Sequence, residues 1–229
     1  MARKKKPVGV CVYCGKTATL TKEDVIAKCL FPKPRPSDLV KVPACWPCNH
    51  AKSRNDDYLR DLLVSDVYVQ QHPIAQTLFH QNMLSSVRQD SSVIARTAIS
   101  KGRLEPVYTP GGIYLGDCIS APIDVERVNH IFSQIVRGLF FKVRQQRIPD
   151  DYIFDVRRYH PLEFYQVWGK LKQIGCHGPF RIGGEVFTCV FVDVVEDPFF
   201  TDWWLWFYDS VCVYVRTRPS ARIAKSSAA

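Results

Sequence analysis

Two short cysteine pairs constrain this chain more than anything else in it. Cys11-Val12-Tyr13-Cys14 and Cys45-Trp46-Pro47-Cys48 are each C-x2-C, with thirty residues between them. Each pair presents two thiolates to one ion from a tight knuckle, and two knuckles complete the tetrahedral four-sulfur set that structural zinc prefers. Gly15, directly after Cys14, supplies the permissive backbone such a knuckle uses. A closed four-thiolate site leaves no open coordination position, so a zinc ion there holds structure and does no chemistry.

The rival use of four cysteines, two disulfides, belongs to oxidising compartments. The sequence predicts a cytoplasmic protein instead. Arg3-Lys4-Lys5-Lys6 is followed by Pro7-Val8-Gly9-Val10, which is no apolar signal segment. The most apolar stretch, Trp203 to Val215, is interrupted by Asp209 and falls short of the roughly 20 residues of a membrane helix, so no membrane partner is expected. Cys29, Cys118, Cys176, Cys189 and Cys212 lack ligand spacing, and Cys189 and Cys212 sit in apolar runs as small hydrophobes.

The charge is concentrated where the cysteines are. The 229 residues carry a formal +9, and residues 1–60 alone hold 13 Lys and Arg against 5 Asp and Glu. That local excess of +8 points to a polyanionic partner for the cysteine-rich segment. The rest of the chain is nearly neutral and 46% of all residues are hydrophobic, so a packed core is expected and wholesale disorder is excluded.

Residues 1–8 read as a basic arm, 9–64 as the cysteine unit, 65–218 as a second α+β domain and 219–229 as a polar tail. In the second domain the spacing predicts a long helix from about Pro122 to Gln146. Val128, Ile131, Phe132, Ile135, Val136, Leu139, Phe140 and Val143 recur there at three- and four-residue intervals. Shorter helices are expected at Ala75 to Val87, Val93 to Lys101 and Leu162 to Ile174, with a turn at Gly111-Gly112. The β-branched and aromatic runs Val186 to Val195, Trp203 to Tyr208 and Val211 to Thr217 predict an antiparallel meander packed on the long helix. The fold class is therefore α+β.

The segments between and after the knuckles carry a resemblance. Leu20-Thr21-Lys22-Glu23-Asp24-Val25-Ile26 follows the first pair, Asp38-Leu39-Val40 precedes the second, and Cys48-Asn49-His50-Ala51-Lys52 opens a helix running to about Leu63. Over residues 9–64 this resembles the HNH endonuclease family in its zinc-ribboned, ββα-metal, treble-cleft-like form. The resemblance implies that Cys11, Cys14, Cys45 and Cys48 hold Zn2+. It further implies that Glu23 and Asn49 hold a catalytic Mg2+ or other divalent ion, and that Asp24 stands at the general-base position and Asp38 at the loop position before the second strand. The family has His and Asn at those last two places.

These replacements bear on the chemistry the resemblance implies, metal-assisted hydrolysis of DNA phosphodiester bonds. An imidazole with pKa near ~6.5 suits proton removal at pH 7, whereas a carboxylate near ~3.9 is a weaker base by ~2.6 units. Asp38 keeps acceptors but lacks the amide donor of Asn. Lys16, Lys22, Lys28, Lys33, Arg35, Lys52 and Arg54 are the candidate phosphate contacts. Three functions follow: an HNH-type endonuclease of weakened activity, an inactive HNH-derived zinc module that binds nucleic acid, or a scaffold whose residues 65–229 dock a protein partner.

Overall fold

The computed structural model describes residues 6–220 except 90, 110, 160–167, 172, 174 and 195. The chain is α+β, with its described strands in three antiparallel sheets. The first holds β1 (Val8–Val10), β2 (Thr17–Asp24) and β3 (Lys41–Cys45) in sequence order, and the helix α1 (Trp46–Val64) leaves directly from the end of β3. Pro47 sits in the first turn of α1, where its missing N–H costs nothing. The helix therefore begins three residues before Asn49, inside the second knuckle.

A helical stretch follows, made of α2 (Pro73–Leu78), a π-helical turn (Phe79–Met83) and α3 (Leu84–Arg88), and then α4 (Val93–Lys101). The Ser92 hydroxyl caps α4 by accepting the Ala95 N–H. The strands β4 (Arg103–Tyr108) and β5 (Tyr114–Ser120) pair across the expected Gly111-Gly112 turn. Both strands leave apolar side chains exposed, Leu104, Leu115 and Ile119 among them.

The long helix, α5 (Val125–Arg144), starts at Asp124, whose carboxylate accepts the Arg127 N–H. Its expected stripe is its buried face, from Ile131 to Phe140, while Val143 at the last turn is exposed. The stripe packs against one side of a five-stranded sheet, ordered β6 (Tyr152–Tyr159), β10 (Val211–Pro219), β9 (Thr201–Phe207), β8 (Phe187–Asp193), β7 (His177–Ile182). The expected meander is the centre of this sheet. On one face Phe191, Trp203, Leu205 and Val213 join the main core, and on the other Val190, Trp204, Trp206 and Tyr214 form a second cluster with Leu171. Burial on both faces explains why these strands read as unbroken apolar runs. The helix expected over Leu162 to Ile174 falls largely outside the described residues; those described, 168–171 and 173, are helical.

The main core runs without interruption from the cysteine-bearing sheet through α5 into the large sheet. Polar contacts reinforce it. The Tyr208 hydroxyl donates to the Leu30 carbonyl at 2.9 Å, and Arg127 donates to Asn55 Oδ1 at 2.8 Å while its guanidinium lies 4.1 Å from the Tyr58 ring centroid. No described helix is long and apolar enough to cross a membrane.

Candidate metal centre and the adjoining carboxylate cluster

The backbone at the first knuckle is arranged before any ion is considered. Cys11 N–H donates to the Lys16 carbonyl and Gly15 N–H to the Cys11 carbonyl, closing a tight loop. Gly15 takes φ +70°, a left-handed backbone conformation that favours glycine, with the Arg147 guanidinium lying over it. Register brings the second knuckle alongside, because Leu20 of β2 pairs with Cys45 at the end of β3.

The four sulfurs of Cys11, Cys14, Cys45 and Cys48 lie within 4.8 Å of one another, and Cys14 Sγ to Cys45 Sγ is 3.7 Å. A tetrahedron with metal–sulfur bonds of about 2.3 Å has sulfur–sulfur edges of about 3.8 Å, so the spacing fits one zinc-sized ion. Burial pushes the Cys11 thiol up, but backbone N–H groups of Cys45, Cys14 and Tyr13 aimed at its sulfur outweigh that and bring it down to about 7. The cluster can hold a metal such as zinc, with no position open to a substrate.

The second implied ion is a different case. Thr21 and Glu23 alternate along β2 on the face that meets α1. Asn49 Nδ2 donates to Thr21 Oγ1 at 2.9 Å, and Thr21 Oγ1 donates to the Ala44 carbonyl at 2.9 Å, so the asparagine staples the helix to the hairpin. One turn on, Lys52 Nζ stands 3.3 Å from Glu23 Oε1, 3.3 Å from Asp56 Oδ1 and 2.9 Å from the Asp24 carbonyl oxygen. Lys52 is buried at 9% exposure and Glu23 at 6%. Burial raises the pKa of Glu23 and of Asp56, and the Lys52 charge opposes the rise in both.

The residues present do not fit a divalent ion at this place. The positive charge among Glu23, Asp56 and the Asp24 carbonyl is the Lys52 ammonium. The cavity beside it, lined by Asn55, Asp56 and Ile131 among others, is about 10 Å³, room for one water. Among the described residues, the four cysteines form the only group of three or more His, Cys, Asp or Glu side chains close enough to share an ion.

These positions give several of the expected residues other contacts. Lys52 is an internal counter-ion rather than a phosphate contact. Asp24 points its carboxylate toward Lys41, at 3.7 Å, with Oδ1 buried and without a hydrogen-bond partner among the described residues. Asp38 is spent elsewhere, accepting the Gly183 N–H of the β7–β8 turn at 3.0 Å. Asp56, four residues beyond Lys52 on α1, joins the cluster because the Lys52 ammonium reaches both it and Glu23 of β2. Its position seven residues after Asn49, on the same helix face, was the available signal.

The remaining candidates, Lys16, Lys22, Lys28, Lys33, Arg35 and Arg54, are exposed, and among the described residues their side chains make no ion pair. Lys22 and Lys41 flank an open depression of about 400 Å³ with Pro7, Leu20, Thr21, Val42 and Pro43. Sequence reasoning missed a row of exposed side chains on α1, Trp46, His50 and Arg54, although their four-residue spacing was legible. No protein-family model, curated protein or solved structure matches the chain.

Proposed function

We propose that this chain is a zinc-stapled nucleic-acid-binding module of HNH-like build that does not cleave. The observation that carries the reading is Lys52 Nζ seated among Glu23, Asp56 and the Asp24 carbonyl, where a nuclease of the resembled type uses a divalent ion. A tethered ammonium neutralises the carboxylates but offers no open coordination position to a phosphate or a water. What is left for function is the four-cysteine staple and the exposed cations around it, which suit sequence-independent phosphate contact.

Two measurements on the zinc-loaded chain test this. Affinity for DNA is expected to fall steeply with salt, and absence of binding at low salt overturns the reading. Supercoiled plasmid incubated with Mg2+, Mn2+ or Ni2+ is expected to remain uncut. Nicking above the level of an Asn49→Ala preparation would restore hydrolysis as the function.

One observation favours a second partner, another copy of this chain. The β4–β5 hairpin exposes Leu104 at 72%, Leu115 at 64% and Ile119 at 63%, and a lone two-stranded hairpin is marginal in water. Arg103 and Glu105 flank Leu104, so two β4 strands paired antiparallel about Leu104 would set each arginine opposite the other copy's glutamate. Sedimentation is expected to show concentration-dependent dimers that Leu104→Ser removes; a monomer at every concentration rejects it.

A further inference from the structure

Of the tryptophans the structure describes, Trp203, Trp204 and Trp206 are buried in the large sheet and Trp168 is half-buried, whereas Trp46 is 62% exposed. It lies inside the second knuckle, next to Cys45 and in the first turn of α1, so its backbone is fixed twice over. Its ring stacks on His50 at a centroid distance of 4.9 Å and an interplanar angle of 6°. One face of the indole is thus supported and held in place, while the rest is open to solvent. A tryptophan this exposed, in such an ordered place, is not one of the core residues.

Two cations lie on the same unit as this ring. Arg54 is four residues beyond His50, on the same side of α1 and about 12 Å along the axis from Trp46. Lys16 is two residues after Cys14, whose sulfur is 3.7 Å from that of Cys45. The first turn of α1 contains no acidic residue. An open aromatic plane between cations is the combination that receives an unpaired base and its flanking phosphates. Base pairs in a duplex keep their faces stacked on one another and out of reach.

We propose that Trp46, backed by His50 and flanked by Lys16 and Arg54, is a stacking platform for an unpaired base, which makes single-stranded nucleic acid the preferred ligand. This inference rests on the nucleic-acid reading above and narrows it. Holding the indole in advance lowers the ordering cost of binding, and because every base has a π-face, stacking on one ring makes the preference one of strandedness, not of sequence.

The test titrates the full-length, zinc-loaded chain with oligothymidylate and with a duplex of the same length, followed by tryptophan fluorescence and by anisotropy of a labelled oligonucleotide. The single strand is expected to bind more tightly and to quench the fluorescence. Trp46→Ala is expected to abolish the quench and weaken single-strand binding on the order of 10- to 100-fold, with little effect on the duplex. Trp46→Phe, which keeps a ring, should retain part of the affinity, and zinc content shows that each variant is folded. Equal binding of both oligonucleotides, untouched by Trp46→Ala, overturns the platform and leaves the nucleic-acid reading standing. Failure to bind either oligonucleotide at low salt overturns both.

Discussion

The carboxylate of Asp38 accepts the backbone N–H of Gly183, at 3.0 Å through one oxygen and 3.2 Å through the other. This contact ties the loop between β2 and β3 of the cysteine unit to the turn between β7 and β8. Gly183 has φ +63°, and a Cβ on it would sit 2.4 Å from the buried Phe31 ring. Asp38→Ala is expected to cost about 1 kcal/mol in urea denaturation, and Asp38→Asn less, because an acceptor remains. Gly183→Ala is expected to cost more than either, since it adds left-handed backbone strain to a clash with a buried ring.

That contact marks the limit of what the sequence disclosed. The four cysteines and the α5 stripe were legible because ligand spacing and helical period are local signals. The β7 strand, His177–Ile182, contains Gly178 and Pro179 and exposes most of its residues, so no alternation announced it. β6 carries Asp155, Arg157 and Arg158 and was equally silent. Asp38 meeting Gly183 and Lys52 meeting Glu23 depend on how distant elements pack, which no local pattern encodes. The resemblance put Glu23 and Asn49 side by side along the sequence logic of a metal site, but the charge that reaches Glu23 comes from a lysine.

Zinc removal separates the knuckle cysteines from the others. Metal analysis is expected to find about one zinc per chain, and Cys45→Ser to lose both the metal and much of the cooperative unfolding transition. Thiol labelling offers an independent check. Burial pushes the Cys29, Cys189 and Cys212 thiols up to about 12, so in the native state they should resist alkylation at pH 8. The four knuckle thiols are expected to become reactive only when a strong chelator is added.

The Lys52 cluster predicts a large and asymmetric penalty. Lys52→Met leaves Glu23 and Asp56 buried without their cation, and loss of one partner from a buried pair costs about 3–5 kcal/mol. Adding Glu23→Gln to that variant removes one of the orphaned charges, so the double variant is expected to be more stable than Lys52→Met alone. Additive losses in denaturant unfolding would contradict the cluster's electrostatic coupling.

Acid stability has a defined contributor at Asp193. Partial burial pushes its carboxyl up, but Arg144, at 2.6 Å, and His177, at 2.9 Å, outweigh that and hold it below the usual carboxylate range. A depressed folded-state pKa means the unfolded chain binds the proton first. The stabilisation is therefore present at neutral pH and lost as the pH falls below about 4 through the folded-state value. Because Asp193 is partly exposed, Asp193→Asn is expected to cost less than about 1 kcal/mol at pH 7 and to flatten the fall in stability between pH 4 and pH 2.

Gly138 decides how closely α5 approaches β2. It is buried in the middle of the helix, and a Cβ there would lie 2.8 Å from both methyls of Val25, a fully buried residue directly after β2. On propensity alone, alanine gains about 1 kcal/mol over glycine in a helix interior. Methyl carbons prefer separations near about 3.5–4.0 Å, and overpacking a well-filled core costs about 1–3 kcal/mol. A β-branched side chain with one favoured rotamer cannot swing aside, so the clash is expected to win and Gly138→Ala to destabilise by about 1 kcal/mol. Shortening Val25 to alanine alone opens a cavity and also destabilises, yet in combination each change makes room for the other. The double variant is expected to be more stable than the sum of the two losses, and strict additivity in a double-mutant cycle would show that α5 and β2 do not meet at these two residues.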